Sequence, residues 1–375
     1  MTVDLQRQTA LLGWYARHAR RLPWRAPTGQ LADPYGVVVS ELMLQQTRVD
    51  TVIDYFARWV QRWPHWQALA AAPLDDVLAQ WTGLGYYNRA RNLHRTAQTV
   101  VAEYGGVLPR DVAALAALPG LGPYTVGAVR SIAFGQPAAL VDGNVARVLA
   151  RWYGLRHDPM AGTGKAQVWQ WAADHLQPAT AACQHPQDWN QALMELGATV
   201  CTPKQPQCQQ CPVATGCVAH ALDLTLAIPP PRQRTTVVPI AACYYAVQRL
   251  PQPQDRDGIL VLLGKRGEHG RWAGLWEPPG AEGPDAAAQM LTFAEQCGLQ
   301  AQRPLPTLVH VLTHRRYAVQ ATAGTLGDRP LPDPAHWGYT AWRWTTVAEA
   351  LANTSGLSRL GQKIVGLLAA PPPLL

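Results

Sequence analysis

Four cysteines fall within seventeen residues, as Cys201-x6-Cys208-x2-Cys211-x5-Cys217, and Pro203, Pro206 and Pro212 force the chain to turn between them. Reduced thiols crowded in this way bind metal more often than they form disulfides, and one metal centre is the economical explanation. A zinc ribbon offers two tight Cys-x2-Cys knuckles, whereas only one is present here. Cys183, Cys243 and Cys297 lie outside the group and read as ordinary core thiols.

Two carboxylates stand out by their surroundings. Glu41 sits inside the apolar, helix-like run GVVVSELMLQQT, where burial would raise its pKa toward the value that a general acid needs near neutral pH. On the residues alone, a salt-bridged helix glutamate is the favoured reading. Asp142 precedes Gly143, Asn144 and the helical VARVLAR, so its plain role is that of an N-cap, although an aspartate can cap and still face a substrate. Between them lies Leu118-Pro-Gly-Leu-Gly-Pro-Tyr-Thr125, flanked by two helical patterns. Gly120 and Gly122 permit a φ > 0 turn there, and the amides that open the second helix can bind a phosphate. In isolation such a Gly-x-Gly is more often a turn that simply packs.

These residues need a scaffold, and its outline is readable. From Leu5 to about residue 225 the sequence forms short amphipathic helices, as in DDVLAQW and DVAALAAL, broken by Pro and Gly. IPPPRQR at 228–234 marks a linker, placed at 226–237, because three consecutive prolines cannot sit inside a packed helix. VVPIAACYYAV and GILVLLGKR then read as strands and RRYAVQATAG alternates, so the second lobe, 238–370, is expected to be α+β; the tail PPPLL is expected to be disordered. The 375 residues are 48% hydrophobic, with no internal repeat and no apolar run of membrane-spanning length. A net charge of +7, shared by both halves, fits an anionic partner or a solvated surface equally well. The N-terminus does not have the pattern of a signal peptide, which leads to the expectation of a soluble, cytoplasmic protein; it is also expected to be a monomer.

The cysteine spacing resembles the [4Fe–4S] loop of the endonuclease III superfamily of DNA glycosylases. The 118–125 segment resembles the helix-hairpin-helix of the same superfamily, and VDGNVARVLAR its Gly/Pro-rich loop with an aspartate. Taken with SELMLQQT, TGLGYYNRARNLH and LPGLGPYTVGAV, these motifs make the chain similar to the MutY-type adenine glycosylases over nearly its whole length. The resemblance implies an all-α helix-hairpin-helix glycosylase lobe at 1–225. Its six-helix subdomain spans about 30–135, and an iron–sulfur subdomain is built from the N-terminal helix and 136–225. It further implies hydrolysis of the N-glycosidic bond of adenine mispaired with 8-oxoguanine or guanine in double-stranded DNA. Glu41 would protonate the base, and Asp142 would stabilise the oxocarbenium ion or a covalent intermediate, supported by Tyr124 and Asn144. Bifunctional relatives carry a lysine at the hairpin position of Tyr124; a tyrosine forms no Schiff base, so the strand would stay uncut. Arg25 and Gln191 would line the adenine pocket, while Gln45, Gln46 and Tyr86 would enter the duplex beside the lesion. The cluster ligands would be Cys201, Cys208, Cys211 and Cys217.

GRWAGLWEPPG followed by AAAQMLTFAEQCG resembles a degraded Nudix box. Where a working hydrolase has the Arg-Glu-x-x-Glu-Glu helix, this chain has Leu291, Thr292 and Glu295 alone of the following pair, which implies a Nudix-like domain without nucleotide hydrolysis. In the family this domain reads 8-oxoguanine through a Phe-Ser-His loop, here Leu312, Thr313 and His314; the aromatic is gone while both polar groups remain. Two other readings compete: a thymine or uracil mismatch glycosylase of the same superfamily, and a non-catalytic DNA-binding protein that uses the cluster as a redox sensor. The second lobe speaks against the first, and the presence of both Glu41 and Asp142 against the second.

Overall fold

The computed structural model describes residues 5–231, 236–249, 258–352 and 356–369. The PPPLL tail and the core of the expected linker, 232–235, lie outside the described residues. The chain divides into two compact units, Met1–Ala71 with Asn92–Gln233, and Ala72–Arg91 with Arg234–Leu375. No helix among the described residues is long and apolar enough to cross a membrane.

Residues 5–225 are helical, as expected. In chain order they form α1 Leu5–His18, α2 Pro34–Leu44, α3 Val49–Arg62, α4 Trp66–Ala70, α5 Leu74–Trp81, α6 Asn88–Tyr104, α7 Val112–Ala117 and α8 Pro123–Ala128. A π turn over Val129–Ala133 extends α8, and α9 Gly143–Tyr153, α10 Gly162–Asp174, α11 Ala181–Gln184, α12 Pro186–Thr199 and α13 Val218–Ala221 follow. Amphipathic α3 buries Val52, Phe56 and Trp59, spaced as one helix face. By contrast α2 is buried on nearly every side, from Tyr35 to Met43. Such an all-apolar helix belongs at the centre of a bundle. Asp33 starts it by accepting a hydrogen bond from the Gly36 amide at 2.7 Å, with Pro34 at the first helical position. The chain remains packed beyond residue 225: Ile228 is buried against α9, and its carbonyl accepts from Arg151 Nε at 2.8 Å.

Close approach of α9 and α12 depends on one glycine. A Cβ on Gly197 would come within 2.6 Å of Asn144 Cβ and 3.1 Å of the Asn144 backbone. That contact sets the first turn of α9, which carries Asp142 and Asn144.

The second unit is built on an eight-stranded mixed sheet. Its strands are β1 Val238–Arg249, β2 Leu260–Arg266, β3 Trp276–Glu277, β4 Gly280–Glu282, β5 Gln300–Pro304, β6 Leu308–Leu312, β7 Arg315–Thr325 and β8 Tyr339–Thr346. Long strands β1 and β7 pair in parallel, β2 and β4 run antiparallel to β1, and β8 pairs with β2. Helices cover both faces. Along β1, Ala242, Tyr244 and Ala246 face the helix α16 (Arg359–Ala369) through Leu360 and Ile364, whereas Tyr245 and Val247 face α14 (Ala286–Cys297) through Met290 and Phe293. Between these two helices comes α15, Val347–Leu351, opened by a capping box of Thr346 and Glu349. This two-sided burial explains why β1 and β2 read as apolar runs, while the edge-facing half of β7 alternates. Residues 72–91, helical by sequence, cluster with this unit, where Lys265 Nζ meets Asp75 Oδ2 at 2.7 Å.

Gly197→Ala should overpack the α9–α12 crossing and destabilise the protein by roughly 1–3 kcal/mol, several degrees in Tm. Gly366→Ala in α16, where a Cβ would meet nothing within 4 Å, should be neutral or slightly stabilising. Thermal or denaturant unfolding of both variants checks the contrast.

Candidate active site

A cleft of about 610 Å³ opens in the first unit, and two helices present one face each to it. Val37, Ser40, Glu41 and Leu44 of α2 line it at helical spacing, as do Gln191, Met194, Glu195 and Ala198 of α12. Tyr124 enters from the first turn of α8, and Asp142, Gly143 and Asn144 from the start of α9. Eight of the residues singled out by sequence therefore meet here: Glu41, Asp142, Tyr124, Asn144, Arg25, Gln45, Gln46 and Gln191.

Glu41 is 6% exposed, in the middle of the fully buried α2. Loss of water raises its pKa to about 7; the nearby Asp142 charge adds to the rise, while the Tyr124 hydrogen bond and Arg25 oppose it. Tyr124 Oη donates to Glu41 Oε2 at 2.7 Å and also lies 3.4 Å from Met194 Sδ. Its own pKa is pushed well up, by burial first and then by the two carboxylates, so it stays a phenol and a donor. The hydrogen bond occupies Oε2, which leaves Oε1 as the oxygen able to carry Glu41's proton.

Asp142 caps α9, as read from the sequence, and also lines the cleft. Oδ1 accepts from the Val145 amide at 2.7 Å and Oδ2 from Asn144 Nδ2 at 3.0 Å. Burial raises its pKa, and these donors, directed at the charged form, pull the other way. Asn144 is fixed in turn by Arg147, whose Nη2 donates to Asn144 Oδ1 at 2.9 Å and to the Gly197 carbonyl at 2.8 Å.

Glu195 and Arg20 were not singled out by sequence. Glu195 is fully buried and accepts from Arg20 Nε at 2.6 Å, Arg20 Nη2 at 3.0 Å and Arg25 Nη2 at 2.8 Å. Burial alone would raise its pKa; the two guanidiniums outweigh it and hold the carboxyl below its usual range. A charged, doubly clamped carboxylate thus fixes Arg25 at the cleft wall. The available signal was Gln191-x3-Glu195, which puts the two on one helix face.

The cysteine loop follows α12 directly. The Cys201 amide donates to Leu196 O at 2.7 Å, the Cys211 amide to Cys208 O at 3.2 Å and the Cys217 amide to Ala214 O at 3.0 Å. Arg151 reaches the loop, with Nη1 at 3.3 Å from Cys201 Sγ and at 2.8 Å from the Thr202 carbonyl. The Cys211 thiol is pushed up to about 12, by burial first and then by Cys201, Cys217 and Cys208, so the four sulfurs are near enough to act on one another. Among the described residues no three His, Cys, Asp or Glu side chains are placed to hold a single ion. Four cysteine sulfurs beside one guanidinium are a donor set that suits a [4Fe–4S] cluster. Of the remaining cysteines only Cys297 is buried; Cys183 and Cys243 are half-exposed, contrary to the expectation of core thiols.

The other singled-out residues lie elsewhere. Gly120 has φ +82°, and a Cβ there would meet Asn92 at 2.8 Å, so both conformation and space call for glycine. Gly122 departs from expectation: at φ −76° and ψ 176° it is an extended N-cap of α8, because the following Pro123 favours that geometry and Gly120 alone makes the turn. In the second unit, Thr313 and His314 form the exposed two-residue connection between β6 and β7, closed by the Leu312 and Arg315 pair. Tyr86 Oη lies 2.5 Å from Thr313 Oγ1. Leu291, Thr292 and Glu295 all lie on the exposed face of α14.

Among known families, the model described as the HhH-GPD superfamily base excision DNA repair protein matches residues 39–173, and a NUDIX domain model matches 254–366. The chain is 38% identical to the adenine DNA glycosylase of Mus musculus over 383 residues, covering 87% of this chain and 72% of that protein. It is 37% identical to the adenine DNA glycosylase of Homo sapiens, covering 88% and 69%. With that of Mycolicibacterium smegmatis it is 42% identical over 204 residues, covering 54% and 66%. A helical unit with a hairpin and a carboxyl-lined cleft, a Nudix-like unit after it, and these likenesses lead to one conclusion: the chain belongs to the adenine DNA glycosylases, hydrolases of the N-glycosidic bond in the helix-hairpin-helix base-excision superfamily.

Proposed function

We propose that the cleft removes adenine mispaired with 8-oxoguanine, or with guanine, from double-stranded DNA and leaves the strand intact. The observation that carries this reading is the pairing, in one cleft, of a buried carboxyl whose pKa lies near neutrality with a second carboxylate held by directed donors. Glu41, protonated on Oε1, gives its proton to N7 of the flipped adenine, so the base can depart neutral. Positive charge left on the sugar is met by Asp142, as an ion pair or a covalent intermediate. Water then adds hydroxide to the sugar carbon, its proton returns to Glu41, and free adenine and an abasic site remain. Tyr124 orients Glu41, Asn144 orients Asp142, and neither offers the amine that strand cleavage through a Schiff base requires.

Arg25 and Gln191 contact the base in this reading, and Gln45 and Gln46 enter the duplex from the end of α2, where Gln46 is exposed with φ +58°. Tyr86 inserts beside the lesion, Thr313 and His314 read the 8-oxoguanine, and the 118–125 hairpin with Gly120 and Gly122 holds a backbone phosphate. Residues 1–225 then form the catalytic lobe and 238–370 the lesion-recognition domain, joined at 226–237, in a cytoplasmic monomer. Cys201, Cys208, Cys211 and Cys217 hold a [4Fe–4S] cluster, which when bound ties the loop together and supplies no group to the chemistry.

Five measurements test this. Duplexes carrying A opposite 8-oxoguanine, A opposite G, T opposite G and U opposite G should break after alkali only in the adenine-containing cases; breaks without alkali would contradict the role given to Tyr124, and breaks at T or U the choice of base. Glu41→Gln should slow single-turnover adenine release by roughly 10²–10⁴-fold while keeping mismatch binding. The wild-type rate should fall as pH rises through about 7, where Glu41 loses its proton. Because that pKa is raised above its unfolded value, Glu41 favours folding below about pH 4 and this contribution fades as pH climbs to about 7, so Glu41→Gln should raise Tm at pH 8 but not at pH 4. Finally, the purified protein should contain iron and acid-labile sulfide with a broad visible absorbance; bound zinc would overturn the cluster.

A further inference from the structure

Tyr86 is 47% exposed, yet its backbone sits in the left-handed region at φ +48°, costly for a residue with a Cβ. The turn before it, between α5 and α6, passes through Gly83 at φ +107° and Gly85 at φ +72°, which adopt such angles freely. Something must hold the tyrosine in its strained state. Arg89, the second residue of α6 and only 6% exposed, is placed to do so. Its Nη2 donates to the Leu84 and Gly85 carbonyls, both at 3.0 Å. Its guanidinium carbon lies 5.2 Å from the Trp81 ring centroid and 5.7 Å from that of Tyr86. Trp81 Nε1 closes the same turn from the other side, donating to Gly85 O at 3.0 Å.

We infer that Arg89 is a positioning residue for the damaged pair: held between the Trp81 and Tyr86 rings and tied to the turn carbonyls, it presets the Tyr86 ring for insertion beside the lesion. This rests on the reading of Tyr86 as the inserting residue. A flat, forked cation suits the task because it can face an aromatic ring and bond two carbonyls of the turn at once. The Tyr86 hydroxyl is meanwhile paired with Thr313, so the ring is constrained at its face and at its tip. Such preorganisation removes an ordering cost from the lesion complex and acts on specificity rather than on the glycosidic bond.

The test is a double-mutant cycle read as the ratio of single-turnover adenine release from A opposite 8-oxoguanine to that from A opposite G. Arg89→Met should lower this ratio about tenfold, Tyr86→Ala should lower it similarly, and the double variant should match Tyr86→Ala alone. A residue that only stabilised the fold would lower Tm and slow both substrates together, leaving the ratio in place. Fluorescence of 2-aminopurine placed next to 8-oxoguanine reports ring insertion, and Arg89→Met should blunt the change although Tyr86 is present. Should circular dichroism show that Arg89→Met does not fold, Arg89→Lys, which keeps charge but not the fork, is judged by the same criteria. An unchanged ratio in the Arg89 variant, or a further loss in the Tyr86→Ala background, overturns the inference. A normal ratio in Tyr86→Ala overturns the reading of Tyr86 and this inference with it, while leaving adenine excision by the cleft intact.

Discussion

A carboxyl that must keep its proton near neutral pH has to be kept from water, and that requirement on Glu41 organises the helical unit. A helix buried on nearly every side can place an acid in such an environment, and α2 is that helix, with Val38, Val39, Leu42 and Met43 buried along it. Burial alone would make the carboxyl inert, so one face of α2 must also open onto the cleft. Tyr124 reconciles the two demands: its hydrogen bond to Glu41 limits the rise in pKa and engages Oε2, leaving Oε1 without that donor.

Around this acid, the other polar groups are fixed by donors rather than by solvent. Asp142 is held by the first turn of α9 and by Asn144, Asn144 by Arg147, and Arg147 Nε by the carbonyl of Cys201 at 2.8 Å. The cysteine loop therefore abuts the shell that orients the second carboxylate. Elsewhere along the cleft the buried Glu195 clamps Arg20 and Arg25, and cutting such a pair leaves an uncompensated charge that costs several kcal/mol.

Local features were legible and distant ones were not. The apolar context of Glu41, the capping role of Asp142 and the strand character of β1, β2 and β7 all follow from spacing and residue type, and each appears in the fold. Gly122 was misread because a Gly-x-Gly pattern does not say which glycine takes the positive φ; the proline after it decides. Glu195 escaped notice because its partners lie 175 and 170 residues away, beyond any periodic signal. The grouping of residues 72–91 with the sheet unit was hidden for a similar reason, since α5 has the same amphipathic pattern whichever core it joins.

The most direct measurement is a ¹³C NMR titration of the Glu41 side-chain carboxyl in the intact protein, repeated in Tyr124→Phe. A midpoint of about 7 is expected in the first case and a higher one in the second, because the lost hydrogen bond favoured the charged form. A midpoint near the ordinary glutamate value of about 4.3 would contradict it, since Glu41 would then be ionised at neutral pH and have no proton to give.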